Sequence, residues 1–424
     1  MKIPEKKCDS FFERLGKKIG LDLLYLVKNG NWVSLKFFVV SASGFMLSLA
    51  FTKFGSKELL GQYQLVLSIM AMVSICSLLG LNAAALEAIV RGRDAGILKA
   101  VRLIFSFSLI GIPCMIAIGF FYIFFKDEVL LGETLIFAGL LFPLFYALGA
   151  WNNYYEGKLL FKESSLRAIL LNLVLAVFLM IGIFYQLNVF WLVALFLSGS
   201  ILFQGAYFIE IFRKIKDRSD VPLDIRFGFL FSLQKFSSGL SANLPPLVLS
   251  FLFGIELLAI YYIAYYVISA IASFLGSLIT LYMPVLFKGI KLDHRSIILN
   301  NVFVGMVLWL IFIVFLKYFF ILIYGEAYRE SLELAYGISL LLLFMPLHTY
   351  LVSFFSTQKR NGFLVAIFCI ANVAGLLAIH SAKAYGFFGA TVIYLYILEL
   401  ATTLPLLGYY IYNAKKQMPL VKSA

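Results

Sequence analysis

The chain has 424 residues, of which 62% are hydrophobic and 13% are charged, and its formal net charge is +13 at pH 7. A soluble domain carries roughly 25% charged and about 45–50% apolar residues, so this composition excludes a soluble globular protein. Apolar stretches of about 20 residues recur between Trp32 and Tyr412, and each can cross the hydrocarbon core of a bilayer as an α-helix. Strict alternation of apolar and polar residues is absent, which excludes a membrane β-barrel. The sequence therefore predicts an all-α polytopic membrane protein.

The first residues of the chain differ from the rest because they are charged throughout. They contain no uninterrupted apolar core followed by a small-residue cleavage site, so no cleavable signal peptide is predicted. Ser10 and Glu13 have the spacing of a capping box, and apolar residues recur at helical spacing over residues 10–28. We expect residues 1–31 to form a cytoplasmic amphipathic segment on the membrane surface, with membrane lipids as its partner. The plainer interpretation is that this segment only anchors the first span.

About twelve transmembrane helices are predicted. They cover residues 32–53, 61–86, 103–125, 134–155, 168–187, 189–210, 229–253, 257–287, 299–323, 334–356, 363–381 and 386–412. The seventh helix is unusually polar and contains two consecutive prolines, Pro245 and Pro246. Such helices face protein or a water-filled cavity, because lipid would leave their polar groups without partners.

The basic residues indicate how the spans are oriented. An even number of spans places both termini on one side of the membrane. Of the 35 lysines and arginines, 27 lie in segments on the side of the termini, six lie on the opposite side and two lie within helices. Basic residues accumulate in cytoplasmic loops, so both termini are predicted to be cytoplasmic. The same distribution accounts for the positive net charge, and no nucleic-acid partner is predicted.

A sequence match relates the two halves of the chain. The pairs Lys-Phe at 36–37 and Phe-Gly at 54–55 recur at 235–236 and 253–254, with a constant offset of 199 residues. A Glu-Leu-Leu triplet follows in both copies, and each copy leads into a long apolar helix. We interpret predicted spans 1–6 and 7–12 as parallel repeats, that is, two six-helix bundles of the same orientation. A chance match in a sequence rich in leucine and phenylalanine is the alternative.

The predicted organisation follows from the spans and the repeat. It comprises the N-terminal segment 1–31, a first six-helix bundle at 32–212, a cytoplasmic linker at 213–228, a second six-helix bundle at 229–412 and a cytoplasmic tail at 413–424. Two bundles related by an axis along the membrane normal are a common plan of transporters, with the substrate at the interface between them.

Several short motifs occur in an order that resembles a known family. They are FGSKELLGQY at 54–63, GLNAA at 80–84 before RGRD at 91–94, YGEAY at 324–328 and YGFFGA at 385–390. Together with the span count, they resemble the Wzx-type O-antigen and polysaccharide flippases of the multidrug/oligosaccharidyl-lipid/polysaccharide (MOP) exporter superfamily. The resemblance implies a V-shaped pair of six-helix bundles in the bacterial inner membrane. It also implies that the protein moves a polyprenyl-diphosphate-linked oligosaccharide from the cytoplasmic to the periplasmic leaflet by alternating access. A MATE-like drug or cation antiporter shares this plan and is the alternative.

Two lysines inside predicted spans are candidates for substrate binding, because charged residues in lipid are costly and usually face a cavity, a partner or the interface. Lys36 lies near the cytoplasmic end of the first span, where snorkelling to the headgroups is the plainer explanation. Lys235 lies deeper and among serines and Asn243, which favours a role in a cavity. An ammonium group in a partly dry cavity is a suitable point charge for a lipid diphosphate.

Other polar residues within spans are further candidates. Asn152, Asn153 and Asn243 are predicted to hydrogen-bond sugar hydroxyls in the same cavity, and helix packing is the alternative for each. Glu399 lies near the middle of the last predicted span. It either pairs with a lysine or a polar neighbour, or it titrates and couples transport to a proton or sodium gradient.

A membrane enzyme such as a polysaccharide polymerase is a different class of function. Its chemistry needs acid, base or nucleophilic groups gathered at one membrane face. The predicted extracytoplasmic loops are short and contain no histidine, and no GxSxG, HExxH or Walker motif occurs in the chain. The four cysteines form no CxxC pair, so no metal and no cofactor are predicted. The sequence therefore favours a transporter over an enzyme.

Overall fold

A computed structural model describes residues 23–215, 223–287, 294–358 and 360–415 of the chain. Over these residues the protein consists of α-helices joined by short turns and 3-10 helices, without a β-strand. Helices are the expected solution in lipid, because each satisfies its backbone hydrogen bonds within itself. The predicted all-α architecture is confirmed. Residues 1–22, which include most of the predicted amphipathic segment, lie outside the described residues.

The helices group into twelve spans, which we number in chain order. Span 1 is Leu23–Phe54; span 2 is Lys57–Val73 and Leu81–Val90; span 3 is Gly96–Ser108 and Gly111–Phe125; span 4 is Val129–Leu148 and Trp151–Gly157; span 5 is Phe161–Phe184; span 6 is Val189–Lys214; span 7 is Ile225–Phe253; span 8 is Ile255–Phe287; span 9 is His294–Tyr318 and Phe320–Tyr324; span 10 is Arg329–Ile338 and Leu341–Thr357; span 11 is Asn361–Ala382; and span 12 is Gly386–Lys415. Short 3-10 helices at Ser74–Ser77, Glu326–Tyr328 and Lys383–Tyr385 lie within span 2, before span 10 and before span 12.

The number of spans agrees with the sequence. By length and composition, ten helical segments of the described chain can cross a membrane, or eleven if the bent pair in span 10, whose parts differ in direction by 59°, counts as one. The longest of the ten, Asn361–Tyr412, contains both span 11 and span 12. These two spans run side by side, because Gly375 packs directly against the ring of Tyr394. The chain therefore reverses between them, and the expected number of about twelve is confirmed.

Two helix ends differ from the predicted boundaries. Span 1 already begins at Leu23, so the last residues of the predicted N-terminal segment belong to the first span. Span 7 begins at Ile225, inside the predicted linker 213–228. The reason is a cap: the carboxylate of Asp224 accepts the backbone N–H of Phe227 at 2.9 Å, which satisfies a donor that the first helical turn leaves free.

The two halves of the protein pack their helices in the same pattern. The contact of span 1 with span 5 corresponds to that of span 7 with span 11. The contact of span 3 with span 4 corresponds to that of span 9 with span 10, and the contact of span 4 with span 6 corresponds to that of span 10 with span 12. The phenylalanines of the sequence match also have equivalent surroundings. Phe54 meets Phe184 edge to face and Phe253 meets Phe387 in the same way, each beside the turn between the last two spans of its own half. This is the arrangement of parallel repeats.

The hydrophobic cores show where the halves are joined. We call the end of the molecule that carries the helix starts at Leu23 and Ile225 the terminal face, and the opposite end the far face. Towards the far face, buried residues of both halves form one cluster, to which Leu65 of span 2 and Ile263 of span 8 belong.

Towards the terminal face the halves have separate cores. Trp151, Tyr155 and Ile211 belong to the core of the first half, and Leu351 and Phe355 belong to the core of the second. The two bundles therefore share one core near the far face, whereas towards the terminal face their cores are separate and spans 2 and 7 provide the contact between them.

Spans 2 and 7 come close to each other where glycines lie in their contact. A Cβ atom added at Gly80 would collide with the backbone of Gly228 and Ser232. The backbone N–H of Gly80 also donates to Ser232 Oγ at 2.8 Å. At the far face, Gly61 of span 2 packs against the carbonyl of Ile255 in the same manner. Small residues allow such close approach in lipid, where packing and hydrogen bonds replace the hydrophobic effect as the force between helices.

Gly80→Ala tests this contact, because the added methyl group would meet main-chain atoms that cannot move aside. Overpacking of this kind costs roughly 1–3 kcal/mol, so the variant should lose its folded state at a lower temperature than the wild type. The measurement is the temperature at which the purified protein in detergent ceases to elute as a single species. Gly239→Ala in span 7 is the control, since nothing lies within 4 Å of an added Cβ there. Equal thermal behaviour of both variants would contradict close packing at Gly80.

Candidate functional site

Lys36 and Lys235, the lysines related by the sequence repeat, lie at the same depth in the molecule. Each precedes the far-face end of its span, at Phe54 or Phe253, by 18 residues, or about 27 Å of α-helix. The hydrocarbon core of a bilayer is only about 30 Å thick, so both lysines belong to the terminal-face side of the membrane. They come from different halves of the protein.

The carboxylate of Glu156 lies within electrostatic range of both lysines. Lys36 Nζ lies 3.5 Å from Glu156 Oε1, and these side chains are 24% and 28% exposed. Lys235 also interacts electrostatically with Glu156. Its side chain is exposed, and its ammonium group lies over the ring of Phe231, 5.2 Å from the centroid. The group of two lysines and one carboxylate thus carries a net positive charge, and its side chains are not fully buried by protein.

Glu156 is held in place by Asn152, one turn earlier on the short helix Trp151–Gly157. Asn152 Nδ2 donates to Glu156 Oε1 at 2.5 Å, and Asn152 Oδ1 accepts from Ser164 Oγ at 2.6 Å. Ser164 lies in the first turn of span 5, so these bonds and the Lys36 ion pair link spans 5, 4 and 1. Asn152 therefore acts on the cluster through Glu156, and its predicted contact with sugar hydroxyls would compete with both hydrogen bonds.

Asn153 and Asn243 form their hydrogen bonds elsewhere. Asn153 Nδ2 donates to the carbonyl of Ala150 at 3.4 Å, and Asn243 Nδ2 donates to the carbonyl of Gly239 at 2.9 Å. Each side chain thus bonds to its own helix and not to the lysine cluster. Their role in substrate binding stays a prediction.

Polar residues near Lys235 join span 7 to its neighbours. Gln234 Nε2 donates to Ser356 Oγ of span 10 at 2.6 Å, and Ser241 Oγ accepts from Asn372 of span 11 at 3.1 Å. Together with the contact to span 2, these bonds show that span 7 is surrounded by protein on several sides, as its polarity predicts. Lys235 is an exposed charged residue of span 7, and the other is Arg226 near the terminal-face end.

A second group of polar side chains lies inside the second half. Glu399 Oε1 of span 12 is 3.3 Å from His348 Nδ1 of span 10. Thr403 Oγ1 lies 3.0 Å from each of these atoms, and Thr402 Oγ1 lies 3.3 Å from the histidine nitrogen. The sequence left open whether Glu399 pairs with a neighbour or titrates, and the structure supplies the neighbour. Its role in ion coupling stays a prediction.

The far face is closed by contacts between the halves. Lys57 lies 4.0 Å from Glu330 and over the ring of Tyr328. Lys126 lies over the ring of Phe251, 4.5 Å from its centroid. A cavity of about 440 Å³ beside these contacts is separate from the lysine cluster. Within the described part of the chain, no three His, Cys, Asp or Glu side chains come together as a metal site would require.

Reasoning from the sequence missed Glu156 and did not pair His348 with Glu399. Glu156 follows directly after the fourth predicted helix, 134–155, where a carboxylate looks like an ordinary loop residue. The charge of Glu156 could have marked it as a candidate site residue. No rule of helical spacing, however, connects it with either lysine. The same holds for His348, because only the packing of span 10 against span 12 brings it to Glu399.

A protein-family profile described as polysaccharide biosynthesis protein matches residues 26–290. The matched region is more than half of the chain and contains Lys36, Glu156 and Lys235. The chain belongs to the polysaccharide biosynthesis protein family. No curated protein sequence matches the chain.

Solved structures of MOP-superfamily transporters share the fold of this polysaccharide biosynthesis protein. One match is a MOP transporter from Pyrococcus furiosus, whose binding pocket is described as having reverse polarity. The TM-score is 0.65 and the sequence identity is 13%, and the match covers 93% of this chain and 97% of that chain. A variant of a MATE transporter from Vibrio cholerae matches with a TM-score of 0.58 and 15% identity, over 94% and 100%. An inward-facing MATE multidrug transporter matches with a TM-score of 0.59 and 14% identity, over 89% and 96%. At these identities the similarity establishes the fold alone.

Replacing Glu156 tests whether it is the counter-ion of both lysines. Glu156→Gln would leave two ammonium groups near each other without a negative charge, so a multivalent anion should bind there more strongly. We expect inorganic pyrophosphate to raise the thermal stability of Glu156→Gln in detergent more than that of the wild type. Adding Lys36→Ala should remove the difference. Glu133→Gln, which neutralises an exposed carboxylate of span 4, is the matched control, and an identical response of Glu156→Gln and wild type would rule out the shared counter-ion.

Proposed function

We propose that the protein is a flippase that moves a polyprenyl-diphosphate-linked oligosaccharide, an O-antigen or similar surface polysaccharide repeat unit, from one membrane leaflet to the other. The observation that carries the proposal is the ion pair of Lys36 with Glu156 in one half, with Lys235 of the other half within electrostatic range of the same carboxylate. Membership in the polysaccharide biosynthesis family supports a saccharide cargo. Such a cargo carries a diphosphate between its lipid tail and its sugars.

The diphosphate is the part of the cargo that resists crossing. It carries at least two negative charges, and an unpaired ion is strongly disfavoured in hydrocarbon. Two unit charges 4 Å apart interact by about 4 kcal/mol at an effective dielectric constant of roughly 20, so two ammonium groups offset a substantial part of that penalty. Lysine suits this role because its ammonium group is a compact charge on a flexible stem. It follows the anion without fixing it in one geometry.

The hydrophobic cores support loading from the terminal face. The halves share one core near the far face and have separate cores towards the terminal face, where the lysines lie. We assign the terminal face to the cytoplasm, in agreement with the distribution of basic residues, so that both termini are cytoplasmic and the membrane is the bacterial inner membrane. The described state then accepts cargo from the cytoplasmic leaflet. The sugars enter the space between the bundles while the polyprenyl tail remains in lipid.

Release on the other side requires the two halves to rock against each other. The far-face contact between Lys57 and Glu330 must open in this motion. An exposed ion pair of this kind contributes about 0–1 kcal/mol, so little free energy opposes its opening. We place the pivot of this motion at the close contact between span 2 and span 7 at Gly80, because the backbones of the two halves touch there.

Drug extrusion is the alternative that the shared fold leaves open. A site for cationic drugs would be apolar and negatively charged, since a cation leaving water needs a negative partner. The cluster of Lys36, Lys235 and Glu156 has the opposite charge. The electrostatics of the site therefore favour an anionic cargo.

A substitution series at Lys235 tests the proposed function. If the ammonium group holds the diphosphate, charge matters more than shape. Lys235→Arg should retain much of the activity, Lys235→Ala should lose most of it, and Lys235→Glu should lose nearly all of it by repulsion. The measurement is the amount of surface polysaccharide in a flippase-deficient strain, normalised to the amount of protein in the membrane.

The control for this series is Lys317→Glu, which places the same charge reversal on an exposed lysine near the far-face end of span 9. It should insert normally and restore near wild-type polysaccharide. Wild-type polysaccharide from a normally inserted Lys235→Glu variant would sink the proposed function. Drug resistance without polysaccharide export on expression of the wild type would favour the antiporter instead.

A further inference from the structure

The pair of His348 and Glu399 is a cluster of titratable side chains that the lysine site does not use. Both side chains lie in the second half, and they are 20% and 18% exposed. They are found where the shared core ends and the separate core of the second half begins, since Leu395 belongs to the former and Leu347 to the latter. An ionisable pair at this depth is a candidate for function, because lipid and packed protein both disfavour charge.

The hydrogen bonds around His348 determine where its first proton lies. The hydroxyl of Thr403 donates to Glu399 Oε1, so its oxygen can only accept from His348 Nδ1, 3.0 Å away. The hydroxyl of Thr402 donates to the backbone carbonyl of Glu399 and likewise presents its oxygen to Nδ1, at 3.3 Å. A ring nitrogen surrounded by acceptors must carry a hydrogen. The imidazole is therefore protonated at Nδ1, with the carboxylate of Glu399 as a further acceptor.

One more proton changes the charge of the pair. With a neutral imidazole and an ionised carboxylate, His348 and Glu399 together carry a net charge of −1, which is costly inside a membrane. A second proton, bound at Nε2 of the ring or at the carboxylate, brings the net charge to zero. We propose that His348 and Glu399 form a proton-binding site, which takes up this second proton and releases it again in each transport cycle, so that a proton gradient drives transport.

The donor set suits a proton better than a sodium ion. A sodium ion needs several oxygen ligands with free lone pairs pointing at one position, as hard cations do in general. Here the carboxylate oxygen of Glu399 that faces the ring already accepts from the Thr403 hydroxyl and lies against the N–H of His348. The N–H would point at any cation that approached this oxygen. The geometry therefore favours proton transfer over cation binding.

The surroundings of the pair contain one further titratable contact. Tyr265 of span 8 interacts electrostatically with Glu399, and from span 11 the ring of Phe368 covers the imidazole with centroids 6.1 Å apart. Spans 7 and 9 also pack against span 10 or span 12, but none of their described side chains acts on the charge of the pair. The pair and Tyr265 thus form one small polar unit.

Tyrosine hydroxyls extend this unit towards the far face. Tyr261, one turn closer to the far-face start of span 8, stacks on Tyr265 with ring centroids 5.5 Å apart and planes 12° apart. Its buried hydroxyl has no hydrogen-bond partner, and neither has that of Tyr394 on span 12, with which it interacts electrostatically. These hydroxyls are polar groups within an otherwise apolar core.

Proton loading can bias the packing of the second half. The pair ties span 10 to span 12, and span 10 is the span whose two parts are bent by 59°. The neutral pair is stable in the packed interior, whereas the unloaded pair favours a state in which water reaches it. Proton binding itself does not depend on the identity of the cargo. Only the coupling of the proton to oligosaccharide movement rests on the proposed function.

The proton site can be observed without any substrate, by nitrogen-15 NMR of labelled histidine in the full-length protein in lipid nanodiscs. The chain has three histidines, so His294→Gln with His380→Gln leaves the signal of His348 alone. We expect Nδ1 to stay protonated throughout a pH titration and one titration step to occur, at Nε2 or at the carboxylate. Infrared difference spectra over the same titration report the other location of the proton, as a carboxylic-acid band of Glu399.

Two variants decide the result. In Glu399→Gln the histidine step should move by about one pH unit or more, or the carboxylic-acid band should disappear, because the partner charge is lost. Glu133→Gln is the matched control and should change neither signal. If the pair shows neither a histidine titration step nor a carboxylic-acid band that depends on Glu399, the proposal is wrong. The pair is then a packing contact.

Transport in proteoliposomes separates coupling from cargo recognition. Glu399→Gln and His348→Gln should still exchange lipid-linked oligosaccharide between leaflets, but an imposed pH gradient should no longer accelerate the exchange. Lys235→Ala should lose exchange with and without the gradient. A wild type that exchanges the cargo at the same rate with and without a pH gradient would overturn the coupling. A wild type that exchanges no oligosaccharide would instead count against the proposed cargo, while the NMR titration would still decide whether the proton site exists.

Discussion

Two helix bundles share one hydrophobic core near the far face and keep separate cores towards the terminal face, where spans 2 and 7 hold them in contact. The lysine cluster takes its side chains from both halves towards the terminal face. Lipid supplies no hydrophobic force to hold such bundles together, so they are joined by close packing at Gly80 and Gly61 and by a few hydrogen bonds. Contacts of this kind can be exchanged for others without unfolding either bundle. The fold thus provides both a site with side chains from the two halves and the freedom to open it on the other side.

The two polar clusters solve opposite electrostatic problems. Around Glu156, two positive charges share one negative charge, and the surplus is tolerated because the side chains remain partly exposed. Between His348 and Glu399 the groups are more enclosed, so charge has to be balanced within the pair or removed by a proton. The first cluster is suited to a multivalent anion and the second to a proton. Both depend on partners from different spans, which places them under the control of helix packing.

Particular residues show how far prediction from the sequence reaches. The span count and the parallel repeat follow from composition and from the offset of 199 residues, because lipid permits few architectures and repeats keep their register. From the sequence, snorkelling to the headgroups was the plainer explanation for Lys36. Its partner Glu156 could not be recognised, because the two residues are far apart in the chain. Pro245 and Pro246 lie inside a continuous helix, Ile225–Phe253, since neighbouring spans can satisfy the backbone groups that prolines free in a membrane.

The sequence by itself determined that the protein spans a membrane, how many helices it has, that its halves are repeats and which charged residues lie in unusual places. These properties depend on local composition and on periodicity, which a single chain displays directly. The tertiary structure alone decided which charges meet. The ion pair of Lys36 with Glu156 and the contact of His348 with Glu399 arise from the angles and offsets at which helices pack. Those are set by side-chain shape across an interface, which no spacing along the sequence encodes.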